Sequence, residues 1–291
     1  MRGLFAYISA AMSRPFLKMN GLGNDFVVVE ARSAPFAPSA DEVRAIADRA
    51  TGIGCDQLIV IEPPTLEEKK EGVDARVRFW NSDGEEIFAC GNGTRCVGWL
   101  LMQASGQDQA VIETKAGRLV ATRAGERLVS IDMGKPGLDW TQIPLAREQD
   151  TRALDVALYE DPALASAPGC VSMGNPHVVF FTADIEAAPV ATAGPLVEHH
   201  TLFPEQVNVG FAQILGRDRI RLRVWERGAG LTRACGTGAC AALVAAARRD
   251  LTDRAATLAL DGGELLIEWR DADDHVIMTG PAAVDFAGEL P

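Results

Sequence analysis

The chain has 291 residues, a formal net charge of −12 and 47% apolar residues. The acidic balance and the presence of only five lysines exclude a nucleic-acid partner, because affinity for a phosphate backbone depends on clustered Lys and Arg. No apolar run approaches the roughly 20 residues that a membrane span needs, so we expect a soluble protein without a membrane partner.

Residues 1–14 allow two interpretations. Their short apolar run after one arginine faintly resembles a signal peptide. An upstream start codon or a ragged extension, with Met12 as the true start, is the favoured interpretation.

The first half of the chain alternates short strands with few helices. Two strands flank a glycine-rich turn between Phe16 and Glu30, and Ser39 with Glu42 forms a capping box that predicts a helix start. A polar loop is expected around residues 67–72, and a helix should open near Cys90. The other predicted strands are Leu58 to Ile61, Ala75 to Trp80, Ala110 to Thr114, Arg118 to Thr122 and Leu128 to Met133.

The second half repeats this plan. Strands are predicted at Val178 to Phe181 and Arg219 to Trp225, and a helix from Cys235 to Arg249 is apolar all round, which indicates burial on every side. We place the domains at residues 1–135, joined by a C-terminal strand at 279–291, and at 136–278. The turns are too short for βαβ crossovers, which favours an α+β fold over a parallel sheet. Two pseudo-symmetric domains, each a mixed or antiparallel barrel-like sheet around one central helix, are therefore expected.

An offset of 145 residues aligns the chain with itself. Between residues 76–93 and 221–238, seven of eighteen positions are identical, where chance would give about one. The matched residues include Cys90 with Cys235, and each cysteine is followed by Gly-x-Gly. The pattern indicates an internal duplication that presents one thiol from each half to the cleft between them.

Both cysteines stand where a strand gives way to a helix. The first N–H groups of a helix can hold a carboxylate, and the helix dipole lowers a thiol pKa from its usual value of ~8.5. The dipole contributes only about 0.3–1 kcal/mol, so a second partner is needed to bring the thiol pKa to neutrality. A single Cys-Gly-x-Gly would be interpreted as a buried structural thiol beside a tight turn. Duplication of a purely structural turn would preserve its glycines but would give the cysteine no reason to remain. Two cysteines in register therefore favour a functional role for both.

Two opposed thiols can invert a stereocentre. A thiolate can remove a proton from one face of a carbon while a thiol delivers one to the other, with no cofactor. A disulfide relay usually uses Cys-x-x-Cys, which is absent. None of the six cysteines has a histidine at a spacing suited to zinc, so no metal is expected, and a cytoplasmic chain with reduced thiols fits best.

Eight motifs are spread over nearly the whole chain. They are Lys18-Met19-Asn20-Gly21-Leu22-Gly23-Asn24-Asp25-Phe26, Gly54-Cys55-Asp56-Gln57, Asn81-Ser82-Asp83-Gly84, Cys90-Gly91-Asn92-Gly93-Thr94-Arg95-Cys96, Gly174-Asn175-Pro176-His177, Val207-Asn208-Val209-Gly210, Glu226-Arg227-Gly228-Ala229-Gly230 and Ala234-Cys235-Gly236-Thr237-Gly238-Ala239-Cys240. Together these motifs resemble the diaminopimelate epimerase family.

The resemblance implies interconversion of LL- and meso-2,6-diaminopimelate, without pyridoxal phosphate, for lysine and peptidoglycan synthesis. It implies that Cys90 and Cys235 are the paired acid and base, and that His177 and Glu226 tune their pKa values. A homodimer is the expected assembly. The implied substrate-binding residues are Asn24, Gln57, Asn81, Gly91, Asn92, Asn175, Asn208, Glu226, Arg227, Gly236 and Thr237.

Two other functions compete with this one. Proline or hydroxyproline racemase shares a related fold and a thiol pair, but it should lack the Glu226-Arg227 and multi-asparagine apparatus for a second amino-acid end. A non-enzymatic small-molecule binding protein on the same scaffold would tolerate loss of either thiol.

Overall fold

The computed structural model describes residues 14–159, 161 and 167–290, so residues 1–13, including most of the N-terminal extension, lie outside the described residues. The helices are α1 (Ala40–Ala47), α2 (Leu66–Lys70), α3 (Gly91–Ser105), α4 (Val190–Glu198) and α5 (Gly236–Ala247). The strands are β1 (Arg14–Gly21), β2 (Asn24–Glu30), β3 (Gln57–Glu62), β4 (Ala75–Asn81), β5 (Glu86–Ile87), β6 (Gln109–Thr114), β7 (Gly117–Arg123), β8 (Leu128–Asp132), β9 (Gly169–Ser172), β10 (Pro176–Phe181), β11 (Asn208–Gly216), β12 (Arg219–Glu226), β13 (Gly230–Thr232), β14 (Ala255–Leu260), β15 (Gly263–Trp269), β16 (Val276–Pro281) and β17 (Ala283–Leu290).

The strand pairing of the first half is repeated in the second. In the first half β1–β2, β3–β4, β4–β5, β6–β7 and β7–β8 are antiparallel, whereas β2–β3 and β4–β6 are parallel. In the second half β9 to β16 pair in the same order and with the same directions. The predicted α+β fold with two pseudo-symmetric sheets is therefore confirmed.

Each sheet surrounds one helix. The helix α3 contacts β1, β2, β6, β7 and β8, and α5 contacts β9 to β12 and β14 to β16. Every residue from Gly238 to Ala246 of α5 is buried, as its uniformly apolar sequence predicts. Because most of these residues are alanine, strands can approach the helix closely from all sides.

Two strands near the C-terminus join the halves. The strand β16 pairs with β15 of the second half and with β8 of the first, and β17 pairs with β1 along its whole length. The strand β17 therefore lies beside the first strand of the chain. The division into residues 1–135 with 279–291, and 136–278, stays a prediction.

The main differences from the predicted elements lie in segments with little sequence signal. The segment expected as a polar loop contains the short helix α2, which begins after a capping box formed by Thr65 and Glu68. The strands β5, β9, β11, β13, β14, β15 and β16 and the helix α4 were not predicted. Within the described part of the chain, no helix is both long and apolar enough to cross a bilayer.

Candidate active site

Cys90 and Cys235 occupy the same position in the two halves. Each is the N-cap residue of a central helix, with extended backbone dihedrals, and each thiol accepts a hydrogen bond from the backbone N–H three residues on. The Gly93 N to Cys90 Sγ distance is 3.5 Å, and the Gly238 N to Cys235 Sγ distance is 3.4 Å. The duplication seen in the sequence therefore places the two thiols in the same local geometry, one in each half.

The two helix starts meet across one methionine side chain. A Cβ atom built on Gly91 would lie 2.8 Å from Met278 Cε, and one built on Gly236 would lie 2.9 Å from Met278 Sδ. Met278 is fully buried on β16, the strand that joins the halves. The first residues of α3 and α5 are thus neighbours in space, although 145 residues separate them in sequence.

Glu226 lies near both thiols. It ends β12, accepts a hydrogen bond from the Thr232 hydroxyl, and interacts with the Cys235 thiol closely enough to raise its pKa. Burial raises the pKa of the Glu226 carboxyl, although its hydrogen bonds act in the opposite direction. The Glu226 charge also raises the pKa of Cys90.

Both thiols hold their protons more tightly than a free cysteine. Burial raises the pKa of Cys90, and the N–H of Gly93 and the charge of Arg95 only partly oppose this effect. Burial and the adjacent Glu226 carboxyl raise the pKa of Cys235 well above its usual range. The helix start lowers the pKa of each thiol, as expected, but without a ligand desolvation is the larger effect.

A chain of polar contacts links His177 to Cys235. His177 Nε2 lies 3.0 Å from Asn175 Oδ1, Asn175 Nδ2 donates to Thr237 Oγ1 at 3.4 Å, and Thr237 Oγ1 lies 3.7 Å from Cys235 Sγ. Burial, together with the charge of Arg227, lowers the pKa of His177 to about 3. His177 is therefore neutral near pH 7 and orients Asn175 without adding charge.

The second half also places Asn208 beside Arg227. Asn208 Oδ1 accepts from the Arg227 backbone N–H at 3.0 Å, and Asn208 Nδ2 donates to the Pro176 carbonyl at 2.9 Å. The Arg227 side chain is exposed and donates to the Glu205 carbonyl at 2.9 Å. Its guanidinium therefore keeps donors free for a carboxylate.

The amide side chains of the first half lie at one edge of its sheet. Asn24 begins β2, Gln57 begins β3 and Asn81 ends β4, opposite Gln57 in the ladder. Gln57 Nε2 donates to Asn81 Oδ1 at 3.1 Å, and Asn92 Nδ2 donates to Asn24 Oδ1 at 2.6 Å. The predicted site residues of the first half thus form two amide pairs.

Some residues at this site were not assigned a role from the sequence. Asp56 lies inside a quoted motif and contacts Asn24, and Thr232 contacts Glu226. No motif includes Met278, and no pattern in the sequence predicted the strand β16 on which it lies. Among the described residues, no group of three or more His, Cys, Asp or Glu side chains could hold a metal ion.

Known proteins match this chain over nearly its whole length. The family model for diaminopimelate epimerase matches residues 16–138 and 169–284. A protein from Phenylobacterium zucineum named diaminopimelate epimerase is 75% identical over 98% of this chain and 100% of its own length. The chain belongs to the diaminopimelate epimerase family. As a member of this family it is an enzyme, an isomerase that acts as an epimerase.

Two solved structures share its fold at low sequence identity. A phenazine biosynthesis PhzF family protein from Enterococcus faecalis has a TM-score of 0.70 and 18% identity, covering 96% of this chain and all of the other. A probable proline racemase from Agrobacterium radiobacter has a TM-score of 0.63 and 17% identity, covering 96% of this chain and 93% of the other. The fold therefore does not distinguish this chain from a proline racemase, the competing function considered from the sequence.

Proposed function

We propose that the chain interconverts LL- and meso-2,6-diaminopimelate by a cofactor-independent two-thiol mechanism, in the synthesis of lysine and of a peptidoglycan precursor. The observation that carries this proposal is the meeting of two thiol-capped helix starts across Met278. Two like thiols that flank one cleft supply an acid and a base on opposite sides of a bound carbon.

In the proposed step, one cysteine is a thiolate and the other a thiol. The thiolate takes the Cα proton, so that a C–H bond breaks, an S–H bond forms and the electron pair stays on the substrate. The opposite thiol then delivers its proton to the other face, so that its S–H bond breaks and a new C–H bond forms. Cys90 and Cys235 leave the step with exchanged protonation states and the stereocentre is inverted.

The reacting carboxylate is held where charge develops. The first N–H groups of an α-helix have no intrahelical partner, and in this proposal those at the starts of α3 and α5 bind the reacting carboxylate. Their dipoles stabilise the negative charge that spreads onto the carboxylate when the proton leaves. These N–H groups belong to Gly91, Asn92, Gly236 and Thr237.

The distal amino-acid end fits the remaining predicted residues. The free guanidinium donors of Arg227 suit the distal carboxylate, and carboxyl and amide oxygens suit the distal ammonium. A proline-sized substrate has no second end, so this apparatus favours the longer diamino acid. The residues assigned to the distal end are Asn81, Asn175, Asn208, Glu226 and Arg227.

The thiolate requires a proton acceptor, because burial raises the pKa of both thiols. The Glu226 carboxyl interacts with the Cys235 thiol and can accept its proton. His177 acts on the same thiol indirectly, through Asn175 and Thr237. The two residues expected to tune the thiol pKa values therefore do so by different routes.

Deuterium wash-in tests the proposal. Incubation with LL-diaminopimelate in deuterium oxide should place solvent deuterium at Cα, and incubation with proline should place none. Cys90→Ala and Cys235→Ala should each abolish epimerisation. Cys96→Ala and Cys240→Ala are matched controls, because these buried thiols lie farther along the same two helices. Unchanged turnover in Cys90→Ala and Cys235→Ala would refute the mechanism.

Assembly and location are separate proposals. We infer a homodimer in the cytoplasm, with a small amino acid as the ligand. Sedimentation of the purified protein tests the first part, and a monomer that is fully active at assay concentration would contradict it.

A further inference from the structure

The carboxylate of Glu198 is buried without a positive partner. Glu198 ends α4, is 4% exposed, and accepts hydrogen bonds from Trp225 Nε1 at 2.7 Å and from the Gly228 backbone N–H at 2.8 Å. Both donors are neutral, and among the residues that the structure describes no cationic side chain pairs with this carboxylate. Because burial of a carboxylate without a cation is costly, stability alone does not account for an acid at this position.

The two hydrogen bonds of Glu198 hold both ends of one turn. Trp225 precedes Glu226-Arg227 in the chain, and Gly228 follows them. Gly228 has a φ of 74°, and its N–H donates to Glu198. The helix α4 also lies directly on the Trp225 ring, because a Cβ atom built on Gly194 would be 2.5 Å from Trp225 Cγ. Glu198 therefore fixes the position of this turn relative to α4.

Of the two residues between these hydrogen bonds, Arg227 depends more on them. Glu226 is the last residue of β12 and also accepts a hydrogen bond from the Thr232 hydroxyl. Arg227 lies beyond the strand, where its backbone N–H donates to Asn208 Oδ1. The residue after it is Gly228, so a shift of Gly228 moves Arg227 before it moves Glu226.

The equivalent helix of the first half makes only a surface contact. Helix α1 joins the parallel strands β2 and β3, as α4 joins β10 and β11. The exposed Arg44 of α1 donates to the carbonyl of Asp83 at 2.7 Å, and Asp83 aligns with Gly228 at the offset of 145 residues. The residue that aligns with Arg227 is Ser82. The buried contact therefore occurs in the half whose turn carries a guanidinium.

We propose that Glu198 is a positioning residue that makes the enzyme selective for substrates with a distal carboxylate, because it fixes the turn that carries Arg227. The inference rests on the proposed function, in which Arg227 binds the distal carboxylate. A guanidinium forms paired hydrogen bonds with a carboxylate only when its orientation is correct, so a fixed turn strengthens this contact. The reacting end of the substrate does not depend on it.

Ligand binding in a Cys90→Ala background, which removes turnover, tests this assignment. Calorimetry gives Kd for LL-diaminopimelate and for L-lysine, which has the same carbon chain with hydrogen in place of the distal carboxylate. Glu198→Gln should weaken diaminopimelate binding about tenfold and lysine binding less than about twofold, because only the charged hydrogen bonds from Arg227 weaken. In an Arg227→Ala background, Glu198→Gln should change diaminopimelate affinity less than about twofold, since residues that act through one contact are not additive.

Trp225→Phe tests the direction of the hydrogen bonds. In Glu198→Gln the amide NH2 group must face the Trp225 indole N–H or the Gly228 N–H, and two donors cannot hydrogen-bond to each other. Trp225→Phe removes the indole donor and keeps an aromatic ring, so the amide oxygen can accept from Gly228. The double variant Glu198→Gln with Trp225→Phe should therefore bind diaminopimelate at least about threefold more tightly than Glu198→Gln.

A charge control is Glu186→Gln, which removes an exposed carboxylate from the same half. It should change neither affinity by more than about twofold. If Glu198→Gln does not fold, as shown by urea unfolding, Glu198→Asp gives the same comparison, because the shorter carboxylate cannot reach both donors.

Equal loss of affinity for the two ligands would overturn the inference. So would a Glu198→Gln loss that adds in full to the loss in Arg227→Ala. Failure of the proposed function has a different signature, since diaminopimelate would then not bind the Cys90→Ala parent.

Discussion

The sulfur of Met278 lies 2.9 Å from the position that a Cβ atom on Gly236 would occupy. Real Cβ atoms do not approach other atoms this closely, so a side chain at residue 236 must displace Met278. The same methionine meets Gly91 with its terminal methyl carbon, which can move more easily than its sulfur.

Gly236→Ala should therefore reduce kcat/KM more than Gly91→Ala. We expect Gly236→Ala to lower the free energy of unfolding by about 1–3 kcal/mol, because the added methyl group overpacks the core around Met278. Urea unfolding and steady-state kinetics measure the two effects. Gly210→Ala is the control, since its Cβ would make only ordinary contacts; equal effects at Gly210 and Gly236 would contradict the prediction.

Glu198→Gln should raise KM about tenfold with a smaller change in kcat. The buried Glu198 accepts from Trp225 Nε1 at 2.7 Å and from the Gly228 N–H at 2.8 Å, so its carboxylate holds both flanks of Glu226-Arg227. An amide can accept at only one of these positions. A mutation that weakens binding of the substrate and of the transition state equally raises KM and leaves kcat nearly unchanged.

The control for this variant is Glu264→Gln, which loses only an exposed ion pair with Arg219. A fall in kcat with unchanged KM in Glu198→Gln would show that Glu198 acts on the chemical step instead.

Arg95→Met should shift the Cys90 thiol pKa upwards without unfolding the protein. Arg95 is fully buried, and its Nη2 has no hydrogen-bond partner among the residues that the structure describes. Its Nε donates to Pro281 O, and its Nη1 donates to Met278 Sδ. Its charge lowers the pKa of Cys90, so removing the charge should move the alkylation rate of Cys90 to higher pH.

Because burial of an unpaired charge is costly, we expect the free energy of unfolding of Arg95→Met to change by less than about 2 kcal/mol. The pH dependence of iodoacetamide labelling at Cys90, followed by mass spectrometry, is the measurement. An unchanged labelling profile would exclude an electrostatic role for Arg95.

Acid should destabilise the protein through His177. The pKa of His177 is about 3 in the folded protein and about 6.5 when unfolded, so below pH 6.5 the unfolded chain takes a proton that the folded chain does not. The contribution of neutral His177 to the free energy of unfolding is therefore complete above pH 6.5. It decreases as the pH falls towards 3, by about 2 kcal/mol between pH 6.5 and 5.

His177→Gln should remove this part of the pH dependence, measured by urea unfolding at pH 7 and pH 5. His199→Gln, at an exposed histidine, should not alter it. A His177→Gln protein that loses stability between pH 7 and pH 5 as steeply as the parent would refute the assignment.

The duplicated plan, the two thiol-capped helices and the family can all be read from the order of residues along the chain. These features are local, because a strand, a capping cysteine and the glycines after it are adjacent in the chain, and a second copy repeats them 145 residues later. The uniformly apolar sequence of α5 likewise predicted that this helix is buried on every side.

The way the two halves meet follows from contacts between residues that are far apart in the chain. Met278 lies between the two helix starts because β16 pairs with strands of both halves, and no local pattern encodes that pairing. The raised thiol pKa values also depend on burial by residues distant in sequence. Desolvation and hydrogen-bond direction are properties of the assembled surroundings, so a residue's neighbours in the chain do not fix them.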